Sequence, residues 1–315
     1  MAHDQGHGGA VTGRYLGLAI GLTTAFVVAE AVAGWLSNSL ALLADAGHNF
    51  ADALALVFTW YALRLARRPA DARRTFGSHR AGILAALANA ATLVALALLI
   101  FWEAVQRLRE PEPVASGPMI GVALAAVVLN GIISLWLRGE ARHDLNLRGA
   151  YLHMLGDALS ALGVVAAGVL VALTGSTLAD PLVSLLVGGL IVWSSWGILS
   201  EAVNVLMEAA PRSLDMAELE RSLRQVPGVR DVHDLHVWTV ASGIVACSCH
   251  VVVAEQSVRE GQQVLRAVAD LLRDRFHITH TTVQVEVEGC EPNDMYCTLR
   301  PIHAAHRHHS DKPPG

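Results

Sequence analysis

The sequence predicts an all-α membrane domain of six transmembrane helices, followed by a small α+β domain with the order α-β-β-α-β. Three observations predict it. The 315 residues are 53% hydrophobic and only 16% charged, with mean hydropathy +0.42, whereas soluble domains run nearer a quarter charged. Apolar stretches long enough to cross a bilayer recur before residue 209. From Pro211 onward the composition becomes that of a soluble domain. The reading divides the chain into an amino-terminal tail (1–13), a transmembrane domain (14–209), a soluble domain (210–290) and a Cys/His-containing flexible tail (291–315). The net charge of −5 is modest and the basic residues fall mainly in short loops, which argues against nucleic acid as a partner.

Residues 1–13 are polar and glycine-rich, without the charged start and cleavage pattern of a secretory leader. The first span is expected over 15–36, apolar apart from Glu30, and a Ser37-Asn38-Ser39 turn separates it from a second over 40–63. The third runs from Ala81 to Trp102 without a charge, and the fourth from Gly117 to Leu137 behind Pro111, Pro113 and Pro118. The fifth covers 148–173, and the sixth runs from Pro181 to Met207. At 1.5 Å per residue, each reaches across a hydrocarbon core of ~30 Å.

Arginines set the expected orientation. The connection between spans two and three carries Arg64, Arg67, Arg68, Arg73, Arg74 and Arg80, and that between four and five carries Arg138, Arg142 and Arg148. The first and fifth connections have no Lys or Arg, and the third offsets Arg107 and Arg109 with Glu110 and Glu112. The positive-inside rule then places both termini in the cytoplasm.

In the soluble part, Leu214–Gln225 reads as a helix with acidic residues in its early turns. Val229–Val240 and Ile244–Ala254 alternate apolar and polar residues about Ser242-Gly243, the mark of a hairpin. An amphipathic helix over Val258–Phe276 and a strand over Thr281–Glu288 complete a small sheet backed by two helices. Four cysteines in this setting do not read as a disulfide framework.

The chemistry concentrates in a motif that occurs twice, His48-Asn-Phe-Ala-Asp52 and His153-Met-Leu-Gly-Asp157. On a helix, residues four apart stack on one face, and ionisable groups inside a membrane span mark a functional site. Two imidazoles and two carboxylates from two helices make a four-ligand nitrogen/oxygen set suited to zinc. Such residues can instead hydrogen-bond across a helix interface for ~0.6–2 kcal/mol each, or relay protons without metal; neither explains why each carboxylate comes with an imidazole at ligand spacing. Asp45, three residues before His48, is a candidate acceptor that orients its ring. Asn49, Asn89 and Asn130 read as helix–helix contacts, while Glu30 and Glu201 are expected to face a water-filled cavity.

In the soluble domain, His233, His236, His250 and Glu286 lie on or beside strands and together can supply an imidazole/carboxylate site. His277 and His280 read as solvated. Cys247 and Cys249 share one face of a strand, opposite His250, a placement that suits core packing or thiolate ligation. Cys290 and Cys297 flank a loop, and His303, His306, His308 and His309 read as a metal-collecting tail.

Six spans, HxxxD on the second and fifth, and the α-β-β-α-β domain together resemble the cation diffusion facilitator family, its bacterial zinc, cobalt and cadmium branch above all. The likeness covers residues 12–297, with Ser39–His48, Thr75–Arg80, Asp180-Pro181 and His233-Asp-Leu-His236 as supporting stretches. It implies a homodimeric exporter of divalent metal in the bacterial inner membrane, chiefly of zinc with cadmium and cobalt as further ions, exchanging metal for protons by alternating access. It implies a ferredoxin-like or metallochaperone-like cytoplasmic domain whose bound zinc regulates transport. Carried onto this sequence, the transport ligands are His48, Asp52, His153 and Asp157, and the cytoplasmic ligands His233, His250 and Glu286. Gln284 stands where some members have a histidine, and Ser78 occupies a ligand position of the second cytoplasmic loop, beside Asp71 and His79.

Two other functions use parts of the same residue set. A membrane metalloenzyme needs an open coordination position for water and a general base; here all four positions are filled and no HExxH appears, so the sequence does not read as an enzyme. A membrane-embedded metal sensor would use the cytoplasmic cluster, but has no need of ionisable groups at mid-membrane.

Overall fold

The computed structural model describes residues 24–139 and 145–288. The packing divides into two compact units, with the boundary between Ala202 and Val203.

The first unit is helical. Helices α1 (Thr24–Ser37), α2 (Leu40–Ala66), α3 (Ala81–Arg109), α4 (Ser116–Leu137), α5 (Leu145–Thr174) and α6 (Ala179–Leu206) follow in order. Helices α2 to α6 are each long and apolar enough to cross a membrane, and α1 is a shorter apolar helix whose expected first residues, 15–23, lie outside the described ones. The expected ends shift most at α3, which continues past Trp102 to Arg109. Its last turns are held by Arg107, whose guanidinium binds Glu103 one turn back and the Asn38 carbonyl.

Small residues let these helices approach. Leu40, Ala44 and Ala51 of α2 pack with Leu93, Ala97, Ile100 and Ala104 of α3 and Val187 and Ile191 of α6. Ala41 and Leu42 pack with Met119 and Ala123 of α4 and Val164 and Ala167 of α5. Lipid supplies no hydrophobic drive for helices to associate, so close van der Waals contact at such small residues takes its place. At Gly188 a Cβ would stand 2.7 Å from the Phe101 ring, so α3 and α6 touch there only because the side chain is missing. Trp35, Trp102, Trp136 and Trp193 are all at least 70% exposed, an outward apolar surface that fits hydrocarbon surroundings.

Three inter-helix connections meet at one end of this unit. Asn38 adopts φ 52 in the α1–α2 turn, and its amide donates to Glu112 and to the Pro113 carbonyl of the α3–α4 connection. Asp180, in the first turn of α6, accepts from the Ser39 hydroxyl at 2.6 Å and from the backbone N–H groups of Leu40 and Ala41. Those donors have no intrahelical partner at a helix start, so α6 caps α2.

The second unit contains α7 (Met216–Arg224), β1 (Val229–Ala241), β2 (Ile244–Val253), α8 (Val258–Phe276) and β3 (His280–Glu286). The sheet order is β1-β2-β3, antiparallel between the first two and parallel between the last two. Asp215 caps α7, and a Ser257/Glu260 capping box opens α8. The hydroxyl and N–H of Ser257 hold the Glu260 carboxyl below its ordinary range. The core gathers Leu219 and Leu223 of α7, Val264, Val268 and Leu272 of α8, and Leu235, Val251 and Val253 of the sheet. Cys247 and Cys249 belong to that core, so the packing alternative for the two thiols is the one the fold realises.

Candidate metal centre

Helices α2 and α5 bring both HxxxD motifs together. His48 Nε2 lies 3.5 Å from Asp52 Oδ2 and 3.5 Å from Asp157 Oδ1. His153 Nε2 lies 3.2 Å from Asp52 Oδ2 and 3.7 Å from Asp157 Oδ2. The two rings stand edge to face with centroids 6.0 Å apart. Each carboxylate therefore touches both imidazoles, and neither motif is self-contained.

These separations are long for hydrogen bonds, which centre near ~2.9 Å. They match another geometry. With metal–ligand bonds of about 2.0–2.1 Å, neighbouring ligand atoms of a tetrahedron stand about 3.3–3.4 Å apart. One ligand atom each from His48, Asp52 and His153 lie within 4.8 Å of one another; the two rings stand 3.5 and 3.2 Å from Asp52 Oδ2, bracketing that edge length, while Asp157 approaches them through different oxygens at 3.5 and 3.7 Å. Buried Asp52 Oδ2 has no hydrogen-bond partner among the described residues, as suits an atom reserved for a cation. Access is asymmetric: the His153 side chain is 45% exposed, against 17% for His48 and 8% for Asp157.

A second cluster forms on the sheet. His233 and His250 are directly paired across β1 and β2. His233 Nε2 is 3.3 Å from Glu286 Oε2, and His250 Nδ1 is 3.0 Å from Glu286 Oε1. Both histidine nitrogens are buried without a hydrogen-bond donor or acceptor of good geometry among the described residues. Gln284, opposite His250 in the β2–β3 register, donates to Glu286 Oε1 at 2.6 Å and so orients the carboxylate. His236 is set apart: its Nε2 pairs with Asp234 at 3.0 Å.

A break in the β1 ladder makes this arrangement. The register shifts between His233 and His236, and Asp234 takes φ 51. The extra residue changes which parity faces the helices, so Val232 and then Leu235 and Val237 enter the core. Uninterrupted alternation would have sent Leu235 to the face that carries His233.

Residues 16–207 match the family model for the cation efflux transmembrane domain, and residues 211–288 match that for the cation efflux protein cytoplasmic domain. The chain belongs to the cation efflux, or cation diffusion facilitator, family. Zinc transporter ZitB of Shigella flexneri is 42% identical over 317 residues, which cover 98% of this chain and 99% of the relative. The cadmium, cobalt and zinc/H(+)-K(+) antiporter of Bacillus velezensis is 34% identical, covering 98% of this chain and all of its own. Metal cation efflux system protein CzcD of Cupriavidus metallidurans is 38% identical, covering 93% and 92%.

Several polar contacts of this cation diffusion facilitator escaped the sequence reading. Asp45, expected behind the His48 ring, accepts instead from Ser160 of α5 at 2.9 Å, and His48 Nδ1 has no hydrogen-bond partner among the described residues. Glu30, expected to face water, is fully buried and accepts from Asn49 at 2.9 Å, whereas Glu201 is exposed. The Asp180–Ser39 cap had only a proline neighbour as its signal. In the α2–α3 connection, Asp71 accepts from the backbone N–H groups of Arg73 and Arg74, which hold its carboxyl below the ordinary range. Cys290, Cys297 and the terminal histidines lie outside the described residues.

Proposed function

We propose that this protein exports divalent metal cations, chiefly zinc with cadmium and cobalt as further cargo, in exchange for protons. His48, Asp52, His153 and Asp157 are the transport ligands. The observation that carries this reading is the set of four contacts between 3.2 and 3.7 Å, each joining an imidazole of one motif to a carboxylate. Names of the relatives, a zinc transporter and a cadmium, cobalt and zinc/H(+)-K(+) antiporter, support the choice of cargo and of the proton as counter-ion.

The exchange follows from the ligands. Two carboxylates cancel the double charge of the cation, and two imidazoles must be neutral to bind it. Protons and metal therefore compete for the same nitrogens. Replacing the hydration shell by four protein ligands disfavours magnesium, which dehydrates reluctantly. The site alternates between the cytoplasm, where it loads, and the opposite side of the bacterial inner membrane, where a more acidic medium unloads it. Both termini are cytoplasmic. The protein works as a homodimer through its ferredoxin-like, metallochaperone-like carboxy-terminal domain, and zinc on His233, His250 and Glu286 regulates transport.

Reconstitution tests the reading. Liposomes with an acidic lumen and a trapped fluorescent zinc indicator should take up zinc faster than liposomes without a gradient, and a protonophore should abolish the difference. Zinc entry indifferent to the gradient would contradict antiport.

A further inference from the structure

One end of the helical unit carries cations that the fold leaves uncovered. Six arginines lie between residues 64 and 80, in the last turn of α2 and the α2–α3 connection, against one aspartate and no glutamate or lysine. Arg64, Arg67, Arg68, Arg73 and Arg74 are all exposed. Asp71 turns its carboxylate to the backbone N–H groups of Arg73 and Arg74, both at 2.8 Å, and so tightens the turn rather than meeting a guanidinium. Arg74 donates to the Ser78 hydroxyl at 3.1 Å, a partner without charge. Among the described residues, Arg67, Arg68 and Arg73 have no side-chain hydrogen bond or ion pair. The other end of α3 is the opposite case: there Arg107 is buried and shared between Glu103 and Asn38. Aromatic rings accompany the uncovered cations. Trp60, Tyr61 and Phe76 are exposed, and the Arg64 guanidinium lies 5.8 Å from the centre of the Trp60 ring, within cation–π reach.

We propose that this arginine patch binds the phosphates of anionic phospholipids in the leaflet at that end of the helices. The proposal rests on the chain spanning a bilayer and is independent of which ion it carries. A guanidinium presents parallel N–H donors that match the oxygens of a phosphate. Each basic residue beside a span strengthens the attraction to an anionic surface by about fivefold. Trp and Tyr settle at headgroup level, their rings toward the hydrocarbon and their polar edges toward water. Trp60 and Arg64 are one helical turn apart on α2, so the ring marks that depth and sets the guanidinium beside it. Arg67 and Arg68 follow at the end of the helix, level with the phosphate layer. Arginines that served only to orient the chain during insertion would need no lipid of particular charge afterwards. Guanidiniums that stay exposed in the folded chain, next to exposed rings, offer headgroups a standing surface. A zwitterionic headgroup fits it poorly, because its own cation would stand among the guanidiniums. The helix anchored in this way is α2, which also carries His48 and Asp52.

The test reads Trp60 from the lipid side, using the full-length protein in bilayers of phosphatidylcholine mixed with phosphatidylglycerol. Brominated acyl chains on one lipid or the other quench the tryptophans they touch, and the difference between wild type and Trp60→Phe isolates the Trp60 signal. Quenching against mole fraction should show phosphatidylglycerol preferred over phosphatidylcholine by at least about tenfold. Arg67→Gln/Arg68→Gln/Arg73→Gln should bring the two lipids to within about twofold of each other. Arg67→Gln and Arg68→Gln singly should fall between, and they decide the matter if the triple variant does not fold. Arg259→Gln/Arg266→Gln, which removes exposed cations of α8 instead, should keep the wild-type preference. Equal quenching by both lipids in wild type, a preference that survives the arginine substitutions, or an equal fall in the α8 variant would overturn the proposal. Inorganic phosphate should reduce the preference no more than chloride does at the same ionic strength. A phosphate-specific loss would make the patch a site for free phosphate and overturn the lipid assignment.

Discussion

His48 Nε2 of α2 stands 3.5 Å from Asp157 Oδ1 of α5, so the histidine of one motif faces the carboxylate of the other. This crossing joins two helices into one site. Asp157→Ala should abolish zinc transport rather than weaken it, because it removes a ligand and half of the negative charge that balances the cation. Asp157→Asn, nearly the same shape, should be as inactive, since shape without charge does not suffice. Uptake by reconstituted protein is the readout, and wild-type flux from either variant would refute the ligand assignment.

Acid should loosen the metal. The neutral imidazole binds, so affinity is retained above the ring pKa and falls as pH drops through it. Because both rings must shed a proton to bind, zinc affinity at the quartet should fall by about 100-fold per pH unit once the pH is below both ring pKa values. Competition against a chelator of known pH dependence measures this. An affinity flat below those values would remove the histidines from the coordination shell.

Asp180 should matter for stability more than for chemistry. It is fully buried and caps α2 through Ser39, Leu40 and Ala41, with Arg107 Nη1 3.9 Å away. Asp180→Ala takes the acceptor from those buried donors, at about 1–3 kcal/mol for each one left unpaired, while Arg107 keeps Glu103 and Asn38. Ser39→Ala removes the hydroxyl that donates to Asp180 and accepts from the Leu42 N–H, and should cost about 1 kcal/mol. Apparent melting temperatures in detergent should therefore fall steeply for the first variant and modestly for the second.

Glu286 bridges the two histidines of the sheet. Glu286→Gln removes the negative charge that both imidazoles face, and should lower zinc affinity at this site by at least about tenfold while leaving pH-driven flux measurable. The full-length chain carrying Asp157→Ala isolates this site for titration.

The helices were legible because lipid imposes a strong demand: nearly uninterrupted apolar stretches of sufficient length. The quartet was legible for a related reason. His48, Asp52, His153 and Asp157 break those stretches at a repeated spacing that only a shared helix face explains. Strands β1, β2 and β3 emerged within a residue or two of their observed ends, since Gly243 and the alternation mark them. What stayed hidden depends on how elements face one another. Nothing local tells Asp45 to meet Ser160, Glu30 to meet Asn49, or Asp180 to cap a helix far away in the chain. The β1 bulge left a trace in Val232-His-Asp-Leu235, where two apolar residues sit three apart within an otherwise alternating strand.

The most direct test is X-ray absorption at the zinc edge on the purified protein, with His233→Ala and Glu286→Ala removing the sheet cluster. The account predicts four nitrogen and oxygen scatterers at about 2.0–2.1 Å, with the outer-shell pattern of two imidazoles. A sulfur shell at about 2.3 Å, or a signal without imidazole, would contradict it.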